Sequence, residues 1–174
     1  MTIHSFVLQT PIGPLSLLTM DIDGTETLVG SGFTADPAEL RARLHPSLAG
    51  KELVPATEQS PIAKAHESYF AGDLEALDDL PVHQPGSARL MDLWAELRKV
   101  GPGETVTYGE LADRAGIPRG ARVAGAACSR NLVAPAIPCH RVLPAGGPQK
   151  YGHYLYGIDR KEWLIGHETA GACG

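Results

Sequence analysis

The sequence is poor in cysteine, with only Cys128, Cys139 and Cys173 in 174 residues. The number is odd and no export signal precedes them, so a disulfide framework is not expected and free thiols are. No two of them stand at the spacing of about two to four residues that structural zinc prefers, so no metal is expected; no cofactor is expected either. Also missing is any run near the roughly 18 to 20 apolar residues that a membrane helix needs. The start, Met1-Thr2-Ile3-His4, lacks the basic and apolar regions of a signal peptide. The expected protein is therefore soluble, cytoplasmic, monomeric and without a membrane partner. Repeats and low-complexity tracts are absent as well. What is present is 43% hydrophobic residues, enough for the core of one ordinary domain or two small ones.

A basic excess is lacking too, since the net charge is -5, but the charge is unevenly spread. Residues 1–80 carry 4 basic and 12 acidic side chains, net -8, whereas residues 81–174 carry 11 basic and 8 acidic, net +3. Within 111–161, Arg114, Arg119, Arg122, Arg130, Arg141, Lys150, Arg160 and Lys161 face only Asp113 and Asp159, net +6. Such a zone is the electrostatic footprint of a nucleic-acid face, or simply a solvated surface.

Turn signals and periodicity divide the chain. Strands are expected over Ile3–Thr10, Leu15–Met20 and Glu26–Phe33, separated by Pro11-Ile12-Gly13-Pro14 and by Asp23-Gly24. Asp36 followed by Pro37 starts a helix through Leu44, and another is expected over Ile62–Phe70. The loop Asp73–Asp79 with Pro81–Gly86 is the candidate linker, giving a domain over 1–80 and a second over 81–174. In the second, Leu90, Leu93, Trp94 and Leu97 recur with a helical period and belong to a core. Thr107 and Glu110 form a capping box for a short helix through Ala115, Gly116-Ile117-Pro118 turns the chain, and a helix over Arg119–Arg130 follows. The expected class is α+β: a small N-terminal antiparallel sheet with helices, then a mostly helical domain holding a helix-turn-helix and a cysteine loop.

The second helix of that pair is rich in small residues: Ala121, Ala124, Gly125, Ala126 and Ala127. Such a wall suits a helix laid against DNA with Arg122 and Arg130 projecting, and equally a helix packed tightly on a neighbour. Cys139 stands in Pro138-Cys139-His140-Arg141-Val142. Pro138 stiffens the loop, and His140 and Arg141 bring a base and a positive charge in sequence, which a thiol needs to react as thiolate near neutral pH. The dipeptide alone fits a buried inert cysteine as well.

Pro138 to Val142, the Pro-Ile-Gly-Pro-Leu start at 11–15, the Gly-Glu-Thr-x-x-Tyr-Gly-Glu-Leu-Ala segment at 103–112 and Arg160-Lys161-Glu162-Trp163-Leu164 resemble, in order and over nearly the whole chain, the O6-alkylguanine-DNA alkyltransferases. The resemblance implies direct-reversal DNA repair: Cys139 takes the alkyl group from O6-alkylguanine, with O4-alkylthymine a second candidate lesion, in a single-turnover methyltransferase reaction. It implies that His140 and Glu168 relay the thiol proton, that Tyr108 protonates or hydrogen-bonds the leaving guanine with help from Lys161, and that Asn131 is a hinge between recognition helix and cysteine loop. The partner implied is double-stranded DNA bound by this helix through the minor groove, its damaged nucleotide rotated out and Arg122 filling the gap.

The sequence also departs from the family. Arg89-Leu90 stand where Phe-Gln is common, Arg122-Val123-Ala124-Gly125 permutes Arg-Ala-Val-Gly, and Leu132 replaces a proline. The loop between Val142 and Arg160 is longer than usual, and Tyr154-Leu155-Tyr156-Gly157 stands for Tyr-x-Gly-Gly, so Tyr156 is expected to reshape the alkyl pocket. The competing readings are a module that binds alkylated bases without transfer and a cysteine hydrolase. Cys128 is read either as packing or as a second thiol.

Overall fold

The computed structural model describes residues 1–146 and 151–173, so Lys150 and the centre of the long loop lie outside the described residues. Its chain divides into two compact units, Met1–Pro85 with Leu132–Ala136, and Gly86–Asn131 with Ile137–Gly174. Among the described residues no helix is long and apolar enough to cross a membrane.

The first unit begins with a meander. Strands β1 (Thr2–Thr10), β2 (Gly13–Ile22) and β3 (Thr25–Gly32) pair antiparallel. The β2–β3 hairpin turns through Asp23 at φ 53° and Gly24 at φ 81°, the two left-handed residues that a tight hairpin of the strands' own twist demands. Helix α1 (Pro37–Arg43) starts on Asp36, whose carboxylate accepts from the Ala38 N–H at 3.0 Å, with Pro37 at the first helical position. A cap of this kind contributes about 1 kcal/mol.

Helix α2 (Pro46–Ala49) leads into β4 (Glu52–Pro55), which pairs parallel to β1 and gives the order β3-β2-β1-β4. The sheet is thus mixed, not purely antiparallel. Glu52-Leu53-Val54-Pro55 is too short and half-exposed to carry an alternation. Helix α3 (Pro61–Phe70) is capped by Ser60. Ile3, Leu18, Met20, Val29, Leu40, Leu44 and Leu48 form one core cluster with sheet and helix residues interleaved, and Leu132 packs on it. The segment 132–136 hydrogen-bonds to β3, Ser31 N–H to Leu132 O at 2.7 Å and Ala134 N–H to Ser31 O at 3.2 Å. A division at one point in the sequence does not accommodate this return.

The second unit is mostly helical. Helix α4 (Ala88–Leu97) buries Leu93, Trp94 and Leu97, and the Trp94 indole N–H donates to Ala127 O at 2.9 Å, so the ring is both packed and satisfied. Strand β5 (Val106–Thr107) precedes α5 (Tyr108–Arg114), whose capping box forms as its sequence demands: Glu110 N–H to Thr107 Oγ1 at 3.1 Å and Thr107 N–H to Glu110 Oε2 at 3.4 Å. Helix α6 (Ala121–Ser129) follows, then a 3-10 turn (Cys139–Arg141), β6 (Val142–Leu143) pairing parallel to β5, and α7 (Ile158–Cys173).

Helix α6 starts two residues later than Arg119, because Arg119 takes φ 57° and cannot continue a right-handed helix. Gly120 shows how closely α5 approaches: a Cβ there would lie 2.8 Å from Ile117 O and 2.9 Å from Ala112 Cβ. Gly157 O accepts the Lys161 N–H at 3.3 Å, so α7 begins at Ile158 with Asp159 already inside its first turn.

Candidate active site around Cys139

Cys139 opens the 3-10 turn, and the residues that follow it send their side chains into the interior. Cys139 as a whole is 4% exposed. Asn131, just beyond the end of α6, donates through Nδ2 to Ile137 O at 2.8 Å and to Cys139 Sγ at 3.3 Å. Its backbone N–H reaches Cys128 O at 3.3 Å. One buried residue therefore fixes both the end of the helix and the sulfur.

His140 and Arg141 converge on Glu168, 28 and 27 residues away. His140 Nε2 lies 2.8 Å from Glu168 Oε2, while Arg141 donates from Nε to Oε1 at 2.9 Å and from Nη2 to Oε2 at 2.8 Å. Arg141 Nη1 donates to Val100 O at 2.5 Å. Glu168 is 1% exposed and lies within α7.

Burial drives His140 below the ordinary imidazole value, with Glu168 pulling the other way. Burial alone would raise Glu168, but the charge of His140 and the hydrogen bonds from Arg141 and His140 hold it well below the usual carboxylate range. The Arg141 guanidinium, bonded to both carboxylate oxygens, keeps Glu168 ionised whatever the imidazole does. An ionised Glu168 accepts, so Nε2 of neutral His140 carries the hydrogen. Nδ1 is then the lone-pair nitrogen, buried and without a protein hydrogen-bond partner among the described residues.

This corrects the expected role of Arg141, whose side chain is spent on Glu168 and Val100. Burial pushes the Cys139 thiol up, opposed by the Asn131 hydrogen bond and the charge of Lys161. The cation acting on the sulfur thus comes from α7. Lys161 is fully buried and donates from Nζ to Val142 O at 2.6 Å and His153 O at 3.0 Å. Its Nζ lies 5.9 Å from the centre of the Tyr108 ring. Burial, with added repulsion from Cys128 and Cys139, moves the Tyr108 phenol up to about 12, so it is a proton donor near neutral pH.

A cavity of about 50 Å³ opens at the thiol, lined by Tyr108, Gly125, Cys128, Cys139, Tyr154 and Leu155 among others. Tyr156 is not among its lining residues. Its ring meets that of Tyr154 edge-on, centroids 5.8 Å apart, so it backs the wall that Tyr154 and Leu155 form. Sharing Tyr108 and Gly125, an open groove of about 590 Å³ runs along α6 past Ala121 and Arg122. Ala121, Arg122 and Arg130 are exposed and Ala126 is half-buried.

Ala124 and Ala127, expected on the DNA side, face inward at 0% and 1% exposure. The small-residue wall is two walls: a helical period of 3.6 sends residues three apart to one side, here the inner one. The basic zone is likewise divided, because Arg141 and Lys161 are interior and Arg114 pairs with Glu104 at 3.0 Å. Pro138 and Val142 are buried, Val142 in the register Val106↔Val142. The lining role of Ser129 and His153 carries no sequence signal, since Ser129 is one small residue near the end of its helix and His153 stands in no patterned segment. Among the described residues no group of three or more His, Cys, Asp or Glu is placed to hold a metal.

Comparison with known proteins places this arrangement. The model of the 6-O-methylguanine DNA methyltransferase DNA-binding domain matches residues 90–170, which span the cysteine turn and most of α7. Methylated-DNA–protein-cysteine methyltransferases of Shigella flexneri and Mus musculus are 32% and 37% identical, covering 92% and 93% of this chain and 92% and 79% of theirs. The crystal structure of Mycobacterium tuberculosis OGT in complex with DNA superposes with a TM-score of 0.76 at 30% identity, covering 97% of this chain and 94% of that one. With likeness running through both units at that level, the chain belongs to the methylated-DNA–protein-cysteine methyltransferase family.

Proposed function

We propose that the protein repairs DNA by direct reversal, moving the alkyl group of an O6-alkylguanine onto Cys139 Sγ. The observation that carries this reading is the buried thiol held by Asn131 beside neutral His140 and an Arg141-locked Glu168. His140 Nδ1 takes the thiol proton, directly or through water, and the imidazolium so formed is stabilised by the carboxylate at 2.8 Å. The sulfur attacks the alkyl carbon in line, the C–O6 bond breaks, and Tyr108 gives or shares its proton with the leaving guanine. Lys161 favours the thiolate electrostatically. The thioether has no route back, so each chain acts once, without cofactor.

The lesion must leave the stack to reach a buried sulfur, which costs a few kcal/mol. Helix α6 presents Arg122 and Ala121 on the exposed side of a groove that shares Tyr108 with the cavity, which supports DNA docking there with Arg122 entering the vacated stack. Arg119 and Arg130, both exposed, supply phosphate contacts. The protein acts as a cytoplasmic monomer, in a compartment that keeps thiols reduced.

Intact-protein mass measurement after incubation with a duplex bearing O6-methylguanine tests the reading. The expected result is a gain of one CH2 per chain at Cys139 with no turnover. Binding with unchanged mass, or methyl removal by Cys139→Ala protein, would overturn it.

A further inference from the structure

Cys128 has no task in the reaction above, yet it opens onto the same cavity of about 50 Å³ as Cys139. Both thiols are free. They are joined through Asn131, whose backbone N–H bonds to Cys128 O at 3.3 Å and whose side chain bonds to Cys139 Sγ at 3.3 Å. Two cysteines anchored by one residue and lining one small void form a paired site.

We propose that Cys128 and Cys139 are a modification site, a dithiol that closes to a disulfide when a hydroperoxide such as hydrogen peroxide oxidises Cys139. The Cys139 thiolate attacks one peroxide oxygen, the S–O bond forms, the O–O bond breaks, and hydroxide leaves to become water. The sulfur has lost two electrons to the peroxide. Cys128, giving its proton to solvent, attacks the sulfenic sulfur; the S–S bond forms, the S–O bond breaks, and the departing hydroxide takes a proton as a second water. Closure consumes the void in front of Cys139, where the alkyl carbon must sit, so the disulfide form accepts no alkyl group. It also shields the sulfur from irreversible oxidation to the sulfinic and sulfonic acids. Two equivalents of a small thiol reopen it. The burial of both side chains opposes thiolate formation, so the reaction is slower than that of an exposed peroxide sensor.

The consequence for alkyl acceptance rests on the function proposed above, but the chemistry is read without DNA. Full-length protein and its Cys128→Ser and Cys128→Ala forms are treated with hydrogen peroxide, and mass and non-reduced peptide maps are recorded. The native chain should lose two hydrogens, yield a Cys128–Cys139 cross-linked peptide and return to its starting mass with dithiothreitol. Both variants should instead gain oxygen at Cys139, in part beyond recovery. Native protein that gains oxygen at Cys139 as readily as the variants, or that bridges through Cys173 or between chains, would overturn the proposal. Methyl acceptance, scored against each protein's own untreated level, should fall and return with the bridge. A bridge formed by a chain that never accepts methyl leaves this site standing and removes the alkyltransferase reading instead.

Discussion

Replacing Glu168 by Gln keeps the side chain's size and removes its charge. The carboxylate accepts from Arg141 at 2.9 and 2.8 Å and from His140 at 2.8 Å, all in the interior. A Gln carbonyl can serve part of that set, but its NH2 then faces a donor, and the Arg141 cation, 5% exposed, is left without its counter-charge. Removing one member of a buried pair costs about 3–5 kcal/mol, because the other remains charged and desolvated. In a domain protein of this size that is roughly 6–20 °C in Tm. Urea unfolding followed by circular dichroism at pH 7 measures it. The sign with pH is fixed as well. Glu168 titrates lower folded than unfolded, so its contribution is full above the unfolded value of about 4.3 and is lost as pH falls below it. The gap between native and Glu168→Gln protein should therefore narrow in acid. Loss of less than about 1 kcal/mol at pH 7 would refute the claim that Arg141 depends on this carboxylate, that being the range of an exposed pair.

Gly120→Ala should destabilise by about 1–3 kcal/mol, since the new methyl meets Ile117 O and Ala112 Cβ inside 3 Å; an unchanged urea midpoint would contradict the close α5–α6 approach. His66 is fully buried, and burial lowers it to about 4 despite its bond to Ile62 O, so the unfolded chain takes up its proton first as pH falls. Stability should drop by about 3 kcal/mol between pH 6.5 and 4, then level; a His66→Gln protein with the same slope would show that other groups set it. Arg122→Ala should slow methyl transfer from duplex far more than from single-stranded DNA, which needs no unstacking, and equal rates on both would remove Arg122 from base rotation.

The sequence discloses features whose cause is local. Asp36-Pro37, Asp23-Gly24 and the Thr107/Glu110 box each act within a few residues, and each forms where its side-chain chemistry places it. Glu168 is different: nothing within α7 tells a buried carboxylate from a solvated one, and only its resemblance to a family position marked it. The partner of this carboxylate, Arg141, lies 27 residues away, and its sequence neighbour Cys139 suggests instead a field on the thiol. That Ala124 and Ala127 face inward is hidden in the sequence for a related reason. Alanine lacks the polarity contrast that tells one helical face from another, and it is Trp94, from α4, that claims the inner one. Likewise β4 exists because β1 offers an edge, which its own four residues do not announce.

The passage from Asn131 to Ile137 is a short excursion. The chain leaves the second unit, spends 132–136 hydrogen-bonded to β3, and comes back two residues before the nucleophile, with the Asn131 amide bonded to Ile137 O across the neck. A polypeptide cut at Gly86 to isolate the reactive half would thus carry an orphaned apolar loop, Leu132-Val133-Ala134-Pro135-Ala136, tethered at the very point where the thiol is aimed. Residues 132–136 therefore fold with the sheet of β3, although in the sequence they stand between the hinge asparagine and the nucleophile.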